Sequence, residues 1–381
     1  MYLIFIPEYD IPKTNMGGGE IMSYYVIGEP EYEASNWYRS ILEGLISEKR
    51  QRRFSLIPIE TVDTLKDLNL QDEDLIFIIG TNSRWLDTVI EVCEACFSNR
   101  CIVLGNHNRR LCGRTYSIVT ADIARDVRVL YEYLESLGSS RIALYGVNPE
   151  STSDAFKRES FLSCGGTEED IYHNHGSLFQ CYEEFSKNRL RYDGVICVND
   201  YCAISLVRHL PATEDLRITS CCGTPLSGYF RPTITGMRID YEFFGKAGME
   251  LSRILQRFDQ VNAVNIFLAS TFCPGETTER IPLPVPTNHR ESVTEKSDDR
   301  FYADPEIEEM LRVESLLSAC GQTDLDILHR LLAGETYAQI ADALFMSVNG
   351  IKYKLKGLFR QSGTRSRREL VHLLAKYMTT V

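Results

Sequence analysis

The sequence predicts an α/β body of doubly wound parallel sheets followed by a small all-α domain. Three observations carry that prediction. Short apolar runs alternate with amphipathic helical stretches up to about residue 280, a polar Pro-rich segment breaks the pattern at 281–305, and every periodic stretch beyond it is helical. At 381 residues the chain has room for two domains, one of them bilobal.

The apolar runs are YYVIG (24–28), FSLIPI (54–59), DLIFIIG (74–80), RCIVLG (100–105), RIALYG (141–146) and GVICVN (194–199). Most end in Gly or Asn, and continuous apolar character without alternation marks strands covered on both faces, as in parallel sheets. Between them YRSILEGLISEKR, WLDTVIEVCEACF and DVRVLYEYLESL repeat at helical spacing. In such folds ligands sit beyond the carboxyl ends of the strands, so the residues just after each run are the candidates for a site. MYLIFIP (1–7) is expected to add an edge strand. After the linker come EIEEMLRVESLLSAC (306–320), TDLDILHRLLAG (323–334), YAQIADALF (337–345), a helix from about Asn349, and RRELVHLLAKY (367–377). Thr323 with Asp326 suits a first-turn cap, Gly334 a helix end, and Ser347 an N-cap.

The composition, 44% hydrophobic and 25% charged, is that of an ordinary globular protein. No run reaches the roughly 20 apolar residues that cross a bilayer, so no membrane partner is expected. The first residues lack a basic, long apolar leader, and a cytoplasmic location is expected. The twelve cysteines then read as reduced thiols. Cys93, Cys96 and Cys101 lack a second CxxC pair or a nearby His, so buried helix cysteines are expected rather than a metal site. Charge is divided unevenly. Residues 323–381 hold nine Lys+Arg against five Asp+Glu, a net of +4, and the remaining 322 residues carry −16. A basic tail on an acidic body confines polyanion binding to the tail.

In that tail, a helix at 337–345, a turn at Met346-Ser347-Val348 and a second helix make a helix-turn-helix pattern. Val348, Ile351, Leu355, Leu358 and Phe359 are expected to face the core, leaving Asn349, Lys352, Tyr353 and Lys356 outward and Lys354 to one side. A helix that enters the major groove needs donors on one exposed face and charges at its flanks. Arg365, Arg367 and Arg368 at the next helix start would add phosphate contacts, which fix register without reading sequence. Residues 323–377 resemble the LuxR/NarL-type helix-turn-helix domain, through the LLAxGxxxxxIAxxLxxS core and the closing SRxELV. The resemblance implies double-stranded DNA as partner, with Lys352, Tyr353 and Lys356 facing bases and Ser347 and Lys354 holding phosphate. Gly350 stands where that family has Thr and Lys354 where it has His, so the start of the recognition helix is expected to be weak.

The body from about 24 to 280 resembles the LacI/GalR effector domain, of the type I periplasmic-binding-protein fold. The resemblance rests on IVTAD (118–122), LGSSRIALYG, DGVICVNDYCAISLVRHL (193–210) and PTITGMRID (232–240). It implies two lobes, about 1–138 with 239–258 and about 139–238 with 259–280, and a ligand between them. It also implies a homodimer, with the LuxR-like domain at 306–381 in place of an N-terminal DNA-binding headpiece. Strand-end candidates are Trp37, for stacking on a ring, Asn82, Asn106 and Asp122. Each has a structural alternative as core, turn or N-cap residue. Asn199 and Asp200 match the family's ligand-contacting pair. The family's ligand-binding Arg falls in DAFKRESF, where aligning Ser160-Phe161 selects Lys157 and residue type selects Arg158. Thr224, within Gly223-Thr224-Pro225, stands where sugar-binding relatives have a carboxylate, which leaves a sugar, an amino acid, a nucleobase or another small polar molecule as ligand.

No GxGxxG after a strand, P-loop, GxSxG or HExxH is present, so neither cofactor nor catalysis is expected. His173 and His175 fall in a polar stretch, expected to be solvent-exposed. The expected function is a ligand-responsive transcriptional regulator. A ligand-binding α/β enzyme with a helical protein-contact tail is the alternative.

Overall fold

The computed structural model describes residues 22–33, 35–49, 54–68, 74–97, 100–105, 116–211, 215–258, 260–279 and 301–378. Asn106, the N-terminal MYLIFIP segment and most of the 281–305 linker lie outside the described residues.

Two six-stranded sheets form two lobes, each flanked by helices. The strands are β1 (Met22–Gly28), β2 (Phe54–Ile59), β3 (Leu75–Ile79), β4 (Cys101–Leu104), β5 (Ser117–Ala121), β6 (Ile142–Val147), β7 (Ile171–His173), β8 (Gly194–Cys197), β9 (Arg217–Ser220), β10 (Thr235–Arg238), β11 (Asn265–Leu268) and β12 (Thr271–Cys273). The first sheet runs β11-β5-β4-β3-β1-β2 and the second β12-β10-β9-β8-β6-β7. The neighbours pair in parallel, except that β12 runs antiparallel to β10. Every residue of β3, β4, β5, β6 and β8 is buried. The unbroken apolar text of β3, β4 and β8 has this cause, because helices cover both faces.

The body's helices are α1 (Asn36–Lys49), α2 (Val62–Lys66), α3 (Ser83–Phe97), α4 (Ile123–Ser136), α5 (Thr152–Ser163), α6 (Leu178–Lys187), α7 (Asp200–His209), α8 (Pro225–Tyr229) and α9 (Tyr241–Arg257). Helices α1 and α9 pack tightly side by side on the first sheet. Gly44 and Gly245 permit it, since a Cβ on Gly44 would lie 2.0 Å from the Glu242 carbonyl oxygen.

The lobe boundaries differ from the expected ones in two places. Helix α4 packs on α5 and on β8, β9 and β10, so it belongs to the second lobe although it falls within 1–138. Strand β11 pairs with β5 and closes the first sheet, although it falls within 259–280. The chain therefore passes between lobes at 121–123, at 238–241 and again within 268–271. The reason is local. Ala121 and Leu268 pair side by side at the ends of β5 and β11, and the Asp122 N–H donates to the Leu268 carbonyl, so adjacent segments cross together.

The C-terminal region is all helical: α10 (Pro305–Ala319), α11 (Gln322–Leu332), α12 (Tyr337–Ala343), α13 (Val348–Ser362) and α14 (Arg367–Leu374). Leu328, Leu331, Ile340, Ile351, Leu355, Leu370 and Leu374 form its buried core. The cap of α11 is Gly321 with Asp324, two residues earlier than the expected Thr323 and Asp326. Ser347 caps α13 as expected, accepting from the Gly350 N–H. Gly350 therefore sits in a capped first turn and the helix continues through it to Gly363, whose φ of 68° ends it in the left-handed conformation. Val348, expected in the core, is the first residue of α13 after its N-cap and is 38% exposed.

Candidate functional site

A cavity of about 850 Å³ opens between the lobes at the carboxyl ends of both sheets. That volume lies within the range of small-molecule sites. Thr81 and Gly105 bring it the ends of β3 and β4, Asn148 and Asn199 those of β6 and β8, and Thr224 the turn after β9. Asp240, after β10, caps α9 beside it.

One wall is aromatic. Trp37, on the first turn of α1, packs against Tyr32 at 5.3 Å and Tyr241 at 6.0 Å between ring centroids. Tyr302, from the segment before α10, meets Tyr32 edge-on at 4.6 Å. The opposite wall carries an ion pair in which the Lys157 Nζ donates to Asp154 Oδ1 at 2.8 Å, with both side chains buried. Burial alone would depress the Lys157 ammonium, but Asp154, then Cys222 and Cys221, outweigh it and the net shift is upward. The Asn148 N–H donates to the second oxygen of Asp154, which locks the pair in place.

The structure separates the expected site residues into three groups. Trp37, Lys157, Asn199 and Thr224 line the cavity. Asn199 also caps α7, accepting from the Cys202 N–H at 3.0 Å. Asp200 lies beneath the lining and accepts from the Thr224 N–H at 2.6 Å, so it shapes the loop above it. Burial pushes its carboxyl up, opposed by hydrogen bonds from Ser220, Ser227 and Thr224. Asn82, Asp122 and Arg158 stand away from the cavity. Asn82 caps the start of α3 and bridges to Ser151 at the lobe–lobe seam. Asp122 caps α4 through the Arg125 N–H. Arg158 pairs with Glu168 and is not among the cavity lining, whereas Lys157 is. His175 is exposed, while His173 ends β7 half-buried and its imidazole is lowered by burial, then by His175.

Tyr201, Tyr241, Asp154, Tyr302 and Glu314 were not anticipated in the lining. Two of them come from the C-terminal region. Glu314, on α10, is 1% exposed and accepts a hydrogen bond from the Tyr201 hydroxyl. Burial pushes its carboxyl up to about 7; Asp200 adds to the shift, and Tyr201 and Arg39 oppose it.

Helix α10 is seated on the second lobe by a connected polar set. Arg208 donates to Glu306 at 2.7 Å, with each side chain only 9% exposed. Ser205 donates to the other Glu306 oxygen at 2.9 Å. Arg208 also donates to the Tyr377 hydroxyl at 3.2 Å, and that hydroxyl donates to Glu309. Asp304 accepts from the Leu178 N–H and the Glu306 N–H, joining the starts of α6 and α10. Toward the first lobe, the contacts that stand out are Tyr302 on Tyr32 and an Arg39 Nη2 donation to the Ser315 hydroxyl at 3.5 Å.

Helix α13 presents Ser347, Asn349, Lys352, Tyr353 and Lys356 to solvent, Tyr353 at 80%. Phe345, in the turn before it, is 98% exposed with φ at 53°. Lys354 is tied to Asp324 at 2.9 Å. Arg365 is exposed, and the Arg367 guanidinium lies 5.4 Å from the Tyr337 ring centroid.

Residues 131–278 match the model of the periplasmic binding protein-like domain. The fold is periplasmic-binding-protein-like, with added helices at the C-terminus. Solved structures similar to it include the lac repressor dimer bound to operator and the anti-inducer ONPF, at 15% identity and a TM-score of 0.56, covering 69% of this chain and 95% of that one. The CelR transcriptional regulator–cellobiose complex matches at 15% identity and 0.55, covering 67% and 84%. A LacI-family regulator from Weissella paramesenteroides with bound sucrose matches at 16% and 0.52, covering 70% and 100%. No curated protein matches the sequence. Among the described residues, no helix of this periplasmic-binding-protein-like chain is long and apolar enough to cross a membrane.

Proposed function

We propose that the chain is a ligand-responsive transcriptional regulator, with the interlobe cleft as sensor and a LuxR/NarL-like helix-turn-helix, α12–α13, as reader of double-stranded DNA. The observation that carries this reading is the seat of α10. One helix lines the cleft with Glu314 and packs on α13, the helix whose outer face carries Lys352, Tyr353 and Lys356. A change in the cleft thus has a single rigid element through which to reach the DNA-reading face.

The proposed ligand is a small polar molecule, stacked on Trp37 and bonded by Lys157, Asn199 and Thr224. Ligand shifts the population between lobe angles, and in a homodimer that shift changes the spacing of two reading helices. A coupling of about 1–3 kcal/mol is typical for such devices. Lys352, Tyr353 and Lys356 read base edges; Ser347, Asn349, Arg365 and Arg367 reach the backbone. Lys354 needs to leave Asp324 before it contacts phosphate.

The test is fluorescence anisotropy of the full chain on random-sequence duplexes across a salt series. Binding that weakens steeply with salt is expected, with the log–log slope reduced by about 1 for each phosphate-contacting cation replaced. Lys352→Ala with Lys356→Ala is expected to weaken binding at least tenfold, at about 1–3 kcal/mol for each good base contact. Salt-independent binding, or a double variant identical to the native chain, refutes the DNA-reading role.

A further inference from the structure

Two of the charges around the cavity are matched by ion pairs. Lys157 is matched by Asp154, and Glu242 at the rim by Lys246 at 2.6 Å. Arg238 and Asp240 are both exposed at the mouth. Glu314 lines the cavity at 1% exposure, and among the described residues no cation lies at ion-pair distance from it. The groups acting on it are Tyr201 and Asp200 from α7 and Arg39 from α1, and Tyr201 in turn neighbours Tyr302 from the segment before α10. Arg39 spends its Nη2 on Ser315 and its Nε on the Ser35 carbonyl. A buried carboxylate held by one hydroxyl is expensive unless a cation joins it. The lining of the same cavity also holds Trp37, Tyr32 and Tyr302, and aromatic ring faces attract a cation electrostatically.

We propose that the molecule taken up in the cleft carries an ammonium group that pairs with Glu314 beside the aromatic wall of Trp37, Tyr32 and Tyr302. The ligand is an amine on a small polar ring, such as an amino sugar. The pocket is then composite: the body supplies Trp37, Lys157 and Asn199, and the DNA-reading tail supplies Tyr302 and Glu314. Ligand bonds α10 directly, in addition to any change of lobe angle. This inference rests on the reading of the cleft as a small-molecule site.

The pairing has a pH signature. With the cleft empty, burial holds the Glu314 carboxyl at about 7. An ammonium binds the ionised form, so below that pH uptake releases a proton and affinity rises about tenfold per pH unit. Above it affinity is flat until the amine itself loses its proton.

The test uses matched probes on the full chain: glucosamine with glucose, galactosamine with galactose, cyclohexylamine with cyclohexanol. Binding is measured by calorimetry and thermal shift from pH 5 to 8, for the native chain and for Glu314→Gln and Glu314→Asp. At least one amine is expected to bind better than its neutral partner. Glu314→Gln should lower that affinity roughly ten- to hundred-fold, the scale of a hydrogen bond to a charged group, and abolish its pH dependence. Glu314→Asp should recover part of both. Neutral members binding as well as their amines, with Glu314→Gln silent, overturns the inference and leaves the sensor reading standing. If no probe of either kind binds the native chain, the amine inference falls, and the sensor reading is then judged separately by thermal shift with amino acids and nucleobases, whose silence as well would overturn it.

Discussion

The tail meets the two lobes on unequal terms. Against the second lobe it is held by a buried ion pair, a serine and a tyrosine on the same cluster, and an aspartate that caps helices on both sides. Against the first lobe the contacts include an edge-on tyrosine pair, a long hydrogen bond from Arg39 to Ser315 and the packing of α10 on α1. A desolvated, cross-linked set is costly to break piecemeal, whereas a single 3.5 Å hydrogen bond is weak and exchanges readily for one to water. The difference assigns roles. On the proposed regulator reading, the second lobe carries the tail and the first lobe is the part that moves against it when the cleft changes shape.

The largest effect is expected from the second-lobe side. Arg208→Ala leaves Glu306 buried without its cation, a loss of about 3–5 kcal/mol in the docking of the tail. Hydrogen exchange along α10 and limited proteolysis of the tail should both rise sharply, and unchanged protection of α10 contradicts the asymmetry.

Glu314→Gln comes next, with a sign that depends on pH. The folded-state carboxyl lies at about 7 against an ordinary value of 4.5, so the folded chain holds a proton that the unfolded chain releases. Stability from this group is full below pH 4.5, falls as the pH rises to about 7, and is constant above. The glutamine variant escapes that loss. Its melting temperature should match the native chain at pH 4.5 and exceed it increasingly toward pH 7, by up to roughly 2–3 kcal/mol of stability. A difference that is constant across this range removes the buried-charge account.

The smallest effect belongs to the first lobe. Arg39→Ala should change stability by no more than about 0.5 kcal/mol, measured by urea unfolding. A loss of the size predicted for Arg208 would mean that both lobes hold the tail firmly.

Much of the architecture was legible because burial on both faces writes itself into sequence. β3, LIFII, and β4, CIVL, show no polar alternation because no face of either meets water. The lobe exchanges were not legible. β11 and β12 are separated by two residues in one apolar stretch, VNIFLASTF, and nothing local marks a passage between sheets. Helix α4 follows β5 as any crossover helix does, and only packing shows which sheet it covers. In the site, Lys157 was separable from Arg158 in principle, since Asp154 stands one helical turn before Lys157 and pairs with it. Glu314 and Tyr302 had no such signal. They lie beyond the 281–300 segment from the rest of the cleft, in text that reads as tail, and their place depends on α10 folding back across α7 and α8. Fluorophore pairs test that arrangement most directly.

One fluorophore would sit at exposed Gln361 on α13, the other at exposed Glu183 in the second lobe or exposed Glu91 in the first, and distance distributions would be recorded for the full chain. The account predicts a single narrow distribution between α13 and Glu183 and a broader one, narrowed or displaced by a cleft ligand, between α13 and Glu91. A broad Glu183 distribution beside a narrow Glu91 one, or two equally broad ones, would contradict it.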